Sequence, residues 1–198
     1  MEFSEVVRRR RMIRNFDPER PVPPEVRERI LANGLHAPSA GFSQGWAFLV
    51  LEGADKDRYW DTAGADPDRL EWAGRLRKAP LLILPFAHEQ AYFERYAEAD
   101  KGGRTTWTAP YWFIDTGMAS LLMLLTVVDE GLAACFIGLP VPRIERIKAE
   151  FGVPDAFAPI GAIPIGYRLP DPPSPSLRRG RRSAAEVVHR GQWGHHEP

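Results

Sequence analysis

Residues 36–51 read HAPSAGFSQGWAFLVL, and the change of composition inside this stretch decides the fold. Its first part, 36–45, holds two Ser, two Gly and one Pro. Those residues break regular structure, so the segment is a loop. WAFLVLEG, at 46–53, is short and apolar and reads as a buried strand. Three similar runs follow: LLILPFAH at 81–88, AACFIGLP at 133–140 and PIGAIPIGY at 159–167. Pro164 lies inside the last, which favours an edge or a bulge there. Helical patterns lie between the strands. Residues 24–36 place Val26, Ile30, Leu31 and Leu35 on one face, with Pro24 in the first turn. Residues 55–78 are polar and hold one or two helices. Residues 110–132 are apolar around most of the circumference and end at Gly131. Such a helix is buried on all sides, in a core or a subunit interface. Residues 141–152 are amphipathic and end at Gly152. Before the loop, residues 2–11 read as a short helix with Ser4 as its candidate N-cap. A proline-rich connector follows that helix. Interleaved helices and strands give an α/β or α+β class with a central sheet.

The chain has 198 residues, which fits one domain or a domain with a long tail. Lys plus Arg number 26 and Asp plus Glu number 26, so the formal net charge is zero. That balance argues against whole-protein electrostatic binding of nucleic acid. A hydrophobic share of 44% argues against disorder. Cys135 is the single cysteine, which excludes a disulfide framework and a multi-Cys zinc site and suits a reducing cytoplasm. The opening MEFSEVVRRRR has no signal-peptide apolar run. Asp115, Asp129 and Glu130 in the apolar helix argue against a membrane span. Proline reaches 19 residues, roughly twice its usual share of about 5%. Many lie in residues 168–198, where Arg is frequent and core residues are few. This segment is expected to be an arm that lies on something else. Residues 89–109 have no clear period and read as a partly helical excursion.

No G-x-S-x-G, HExxH, GxGxxG or P-loop occurs, so nucleophilic, zinc, dinucleotide-fingerprint and P-loop readings lack support. Cys135 sits in an apolar strand and reads as a small buried hydrophobe. Two arginine clusters remain: Arg8–Arg11 with Arg14, and Arg178, Arg179, Arg181 and Arg182. Guanidinium groups bind phosphate bidentately, so the clusters can converge on one phosphate. A solvated basic face or a nonspecific nucleic-acid patch fits the charge equally well. In the loop, small residues allow close backbone approach to a ligand, and Ser39, Ser43 and Gln44 can hydrogen-bond a heterocycle. Composition alone also fits an ordinary helix-to-strand loop.

Five segments in order resemble the FMN-dependent nitroreductases. RRRMIRNF resembles the family's R-R-S-x-R-x-[FY], and HAPSAGFSQGWAFLVL its A-P-S-x-x-N-x-Q-P-W motif. The apolar helix with GLAACFIG, then PIGAIPIGY, then RRSAAEVVHRGQW resemble its central helix and strand, its G-[YF] strand and its terminal R-K-P-[LI]-x-E-[VI]-V. The resemblance implies a three-layer α+β fold, with a mostly antiparallel sheet between helices and an extended C-terminal arm. It also implies one domain over 1–198, a homodimer with FMN at the interface, and arm 168–198 wrapped on the partner. The implied flavin positions are Arg10, Arg11, Met12 and Arg14 near the N-terminus, with Arg179 and Arg181 at the phosphate. Pro38, Ser39, Phe42, Ser43 and Gln44 form the ring-facing loop, supplied by the partner chain. Ile137 and Gly138 form the turn whose backbone N–H meets the ring nitrogen. No side chain is required as a general acid or base.

Three positions depart from the family pattern: Met12 stands for Ser, Phe42 for Asn and Gly45 for Pro. The implied reaction takes a hydride from NAD(P)H and passes it to a small electron-poor acceptor, a nitroaromatic or quinone, in ping-pong order. The cofactor carries that chemistry and the protein orients it. Gly41–Phe42 is also similar to the flavin-destroying dimethylbenzimidazole synthases, so that branch, a deazaflavin and a noncatalytic flavin-binding dimer are alternatives. Tyr92, Phe93, Tyr96 and Trp107 are candidates to stack on a flat substrate, or else pack on their own core.

Overall fold

The computed structural model describes residues 1–64, 71–103 and 106–196. The expected helices of 55–78 and the excursion of 89–109 therefore lie partly outside the described residues, at 65–70 and 104–105.

Five strands form the sheet: β1 (Trp46–Glu52), β2 (Leu81–His88), β3 (Ala133–Ala134), β4 (Phe157–Pro159) and β5 (Ile163–Gly166). The order is β1-β2-β5-β3, and β4 also pairs with β2. Every named pair is antiparallel. β1 and β2 pair in full register, from Trp46 opposite Ala87 to Glu52 opposite Leu81.

β2 is buried on both faces, and its period of two sorts its side chains into two cores. Leu81 and Ile83 join Ile30, Met123, Val127, Ile163 and Ile165. That core lies under helices α2 (Pro24–Leu35) and α6 (Tyr111–Asp129). Leu82, Leu84 and Phe86 face the other way and join Phe16, Tyr59, Trp60, Leu76, Cys135 and Ile147. Those residues come partly from helices α3 (Gly53–Ala63), α4 (Glu71–Arg77) and α7 (Ile144–Glu150). The result is three layers. α1 (Phe3–Arg9), α5 (Gln90–Ala97) and α8 (Ala184–Val187) complete the helices.

Four expectations need correction. Pro164 is not on an edge, because β5 lies between β2 and β3. Its carbonyl accepts from the Cys135 N–H, but proline has no N–H to return the bond. The β3 ladder accordingly stops at Ala134, and contact resumes only as an isolated bridge between Ile137 and Ala162. The run 159–167 is two strands with a break at 160–162. β1 is mostly half-buried rather than buried. Ser4 is not the cap of α1; Glu2 holds that position without a side-chain bond, and the terminal ammonium instead pairs with Asp129.

α6 is long and apolar enough to span a membrane by composition, yet it packs on α2 and β2. It also is not buried on all sides in the single chain. Asp115, Thr116, Ala119, Ser120, Met123 and Val127 face inward, while Phe113, Ile114 and Leu121 remain exposed.

The α2–α6 contact is set by Gly34. A Cβ there would lie 2.4 Å from Met123 Cε and 2.9 Å from Met123 Cγ. Met123 is fully buried and has little room to yield. Gly34→Ala gains about 1 kcal/mol of helix propensity, but overpacking costs about 1–3 kcal/mol. The expected net effect is a loss of about 1 kcal/mol in urea unfolding; a gain would show that Met123 repacks freely.

Candidate functional site

The N-terminal segment reaches the sheet beside β3. Met12 forms a parallel bridge with Ala134, and the Ile13 N–H donates to the Ala134 carbonyl at 3.0 Å. The Phe136 N–H donates to the Met12 sulfur at 3.3 Å. The thioether that replaces the family's hydroxyl is thus used as a backbone acceptor. The Arg14 N–H donates to Asp171 at 3.0 Å, and Asn15 Nδ2 to the Pro170 carbonyl at 2.7 Å. These bonds anchor the root of the C-terminal arm to the same segment.

The arginines differ in how they are used. Arg11 Nη1 donates to the carbonyls of Arg8 at 2.6 Å and Arg10 at 2.9 Å. Arg14 Nη1 donates to the Met12 carbonyl at 3.3 Å. Arg10 Nη1 is buried and has no hydrogen-bond partner among the described residues. A buried unsatisfied donor costs about 1–3 kcal/mol, and more when charged. An anionic acceptor is the group that would relieve it.

Of the two turn residues, Ile137 donates its N–H to the Ala162 carbonyl at 3.0 Å. It is not free for a ligand. Gly138 is exposed, and its N–H makes no hydrogen bond among the described residues. Cys135 is fully buried, which pushes its thiol pKa up and keeps it protonated.

Arg179 and Arg181 lie on the exposed arm, either side of Gly180, which has φ +70°. No hydrogen bond or ion pair joins either to the body among the described residues. Beyond residue 172, the hydrogen bonds stay within the arm, including a capping box at Ser183 and Glu186. Trp193 is 85% exposed apart from stacking on His189.

The loop 38–45 is the other half of the expected site. Ala40–Phe42 forms a single 3-10 turn. Ser39 Oγ accepts from the Gln44 N–H at 3.0 Å, and Ser43 Oγ donates to the Ala40 carbonyl at 2.6 Å. These hydroxyls hold the loop itself. Pro38, Phe42 and Gln44 are exposed. Phe42 at φ 59° and Gln44 at φ 49° are the positive-φ non-glycine residues among the described residues. Such strain concentrates at functional sites. Gly45 has a packing reason: a Cβ would come within 2.5 Å of the Tyr92 ring and 2.7 Å of the His88 carbonyl oxygen. The proline of the family pattern does not fit there.

The buried acid beneath this loop was read in the sequence only as a charge against membrane insertion. Asp115, 2% exposed, accepts from the Ala40 N–H and the Tyr92 hydroxyl, both at 2.8 Å. Burial, with help from Asp115, pushes the Tyr92 pKa well above its ordinary value. A carboxylate interrupting an apolar helix was the available signal. For Tyr92 and Trp107, the structure selects packing on their own core. Tyr92 is fully buried, and Trp107 meets Tyr92, Phe93, Tyr96 and Tyr111 mostly edge-on.

No hydrogen bond joins the Arg10–Arg14 segment to the loop 38–45 among the described residues. Two clefts lie elsewhere. One of about 540 Å³ is flanked by Pro18, Lys56 and Arg77; another of about 410 Å³ is flanked by Phe93, Trp112 and Asp155.

A sequence profile of the nitroreductase family matches residues 7–167. The chain belongs to the nitroreductase family. A Methanothermobacter thermautotrophicus protein, whose name joins NADH dehydrogenase with NAD(P)H nitroreductase, is 27% identical over 174 residues. The match covers 87% of this chain and 80% of that protein. An Archaeoglobus fulgidus protein of the same name is 25% identical, covering 97% and 99%. A Desulfovibrio desulfuricans nitroreductase structure, solved with FMN, superposes with a TM-score of 0.73 at 23% identity, covering 95% of each chain. At that identity the structural likeness establishes the nitroreductase fold alone. The three-layer α+β architecture is therefore that of this family.

The left-handed Phe42 gives a stability test that needs no ligand. Asn tolerates this region better than a bulky ring. Phe42→Asn is expected to raise the unfolding free energy by about 0.5–1 kcal/mol in urea melts. An unchanged or lower value would mean that the loop relaxes around Phe42.

Proposed function

We propose that this chain is an FMN-dependent NAD(P)H oxidoreductase whose cofactor lies between two copies of the chain. The observation that carries the reading is the buried, partnerless Arg10 Nη1. It belongs to the same segment that, through Met12, meets the strand leading to the unbonded Gly138 N–H. A guanidinium lacking an anion and an amide lacking an acceptor fit a ligand with a phosphate and a polar ring. The FMN complex of the Desulfovibrio relative and the nicotinamide names of the archaeal ones support the same assignment.

In this reading Arg10 holds the phosphate, with Arg179 and Arg181 arriving on the arm. Gly138 donates its N–H to the ring. Arg14 places positive charge near the pyrimidine side, where negative charge is best tolerated. Pro38, Ser39, Phe42, Ser43 and Gln44 form the opposing wall, supplied by the second copy. FMN, when bound, would supply the redox chemistry that links NAD(P)H to an electron-poor acceptor such as a nitroaromatic or quinone, in ping-pong order. No buried acid or base is required, and the protonated Cys135 takes no part.

The dimer is part of the proposal. Phe113, Ile114 and Leu121 leave one face of α6 uncovered, and beyond its root at 168–171 the arm makes no hydrogen bond to its own body among the described residues. A second copy answers both. Deleting residues 170–198 is expected to shift the protein toward monomer in light scattering; a truncated chain that stays fully dimeric would count against the arm.

The assignment is tested by the visible spectrum of the full-length protein, with FMN added and then NADH or NADPH under anaerobic conditions. Flavin bands that bleach are expected. Bands that stay would exclude these donors and favour a binding-only dimer or the flavin-destroying branch. Arg10→Ala is expected to weaken FMN retention about 10–100-fold, the loss of one charged hydrogen bond. Unaltered retention would remove Arg10 from the phosphate site.

A further inference from the structure

The loop 38–45 is closed internally by Ser39 and Ser43, and it is braced from outside as well. Gly41, Phe42 and Gln44 all have φ between 49° and 63°, a region costly for non-glycine residues. The outside brace is one face of α5 together with Asp115. Tyr92, Arg95 and Tyr96 fall at i, i+3 and i+4, so they share that face. The Tyr92 ring fills the space beside Gly45, and the Tyr96 ring the space beside Gly41, where a Cβ would lie 2.6 Å from Tyr96 Cε2. Arg95 Nε donates to the Gly41 carbonyl at 2.9 Å. Arg95 is itself fixed by Asp100, which receives two of its N–H groups at 2.7 and 2.8 Å. That pairing lowers the Asp100 pKa to about 2. Asp115 takes the Ala40 N–H and the Tyr92 hydroxyl on one oxygen.

We propose that Asp115, Tyr92 and Arg95 form a template that locks this loop in its left-handed conformation before any ligand arrives, and so act as positioning residues for the loop's contacts with the cofactor. The lock is built from charge-assisted bonds, Asp115 to a backbone N–H and Arg95 to a backbone carbonyl, which are about twice as strong as neutral ones. They grip either side of Gly41, at Ala40 N–H and Gly41 C=O, and hold the following residues in the strained region. What the template presents outward is Phe42, 73% exposed, together with Gln44. A loop ordered in advance binds without a further entropy cost. The positioning role rests on the FMN reading above; the lock itself does not.

The test uses full-length Tyr92→Phe, Arg95→Met and Asp115→Asn, each first compared with wild type by thermal melt. Amide hydrogen exchange is measured in the flavin-free protein, and FMN affinity and spectrum in titrations. Tyr92→Phe keeps the ring and loses one bond, and Arg95→Met lies near the surface, so the test survives if the Asp115 variant fails to fold. Exchange at Ala40, Phe42 and Gln44 is expected to rise at least about tenfold, the scale of one lost hydrogen bond, while exchange in β2 stays as in wild type. FMN affinity should fall by a similar factor with an altered flavin spectrum, and Arg95→Lys, which keeps a cationic donor, should restore much of both. Unchanged exchange at the loop overturns the lock. Faster exchange with wild-type FMN affinity and spectrum overturns the positioning role. A wild-type protein that binds no FMN overturns the cofactor assignment and the positioning role with it, and the exchange result then decides the lock by itself.

Discussion

β2 must be covered on both faces, and the body of the protein is arranged around that requirement. Its side chains alternate between two cores, so one layer of helices cannot satisfy it. α2 and α6 close one side; α3, α4 and α7 close the other. The same strand continues through His88 into α5, which carries the residues beneath the 38–45 loop. Covering β2 therefore places α5 and the start of α6 together. Asp115 at the start of α6 and Tyr92 on α5 meet there. The geometry of the loop follows from the packing of the sheet.

The body alone leaves several groups unanswered. Arg10 Nη1 is buried without a partner, an apolar face of α6 is open, and the arm bonds only within itself beyond its root. The proposed second copy of the chain, with an anionic ligand between the two, answers all of these together. Two clefts of the single chain lie away from the expected cofactor residues, which fits the proposed shared site. Two halves of a shared site need not enclose a cavity until they meet.

Much of the fold was legible because it depends on patterns local to the chain. β1 and β2 are short apolar runs bounded by turn residues, and α2 and α6 carry long, clear signals. The errors came from long-range context. Nothing local says that β5 lies between two strands, so Pro164 reads as an edge or bulge residue, and of the two the edge is wrong: it ends a ladder inside the sheet. At the candidate site, motif resemblance selected the positions, but not their use. Ile137 and Gly138 look equivalent until Ala162 is seen to take the Ile137 N–H. The hydroxyls of Ser39 and Ser43 look free until the loop is folded. Asp115 is far from the loop in sequence, and only the packing of α6 brings its carboxylate to Ala40.

The central claim is a site shared between two chains, with Arg10 from one and the 38–45 loop from the other. Mixing two variants with weakened FMN retention, Arg10→Ala and a chain with Ser39, Phe42 and Gln44 all replaced by bulky or charged residues, at an FMN concentration that fills only wild-type sites, tests it most directly. After subunit exchange, a shared site predicts that flavin binding returns, because each mixed dimer carries one site with both halves wild type. Recovery of about one site per mixed dimer, half the wild-type number, is the scale expected from that geometry. No recovery, in mixtures shown by mass spectrometry to contain the mixed dimer, would place both halves in one chain and contradict the account.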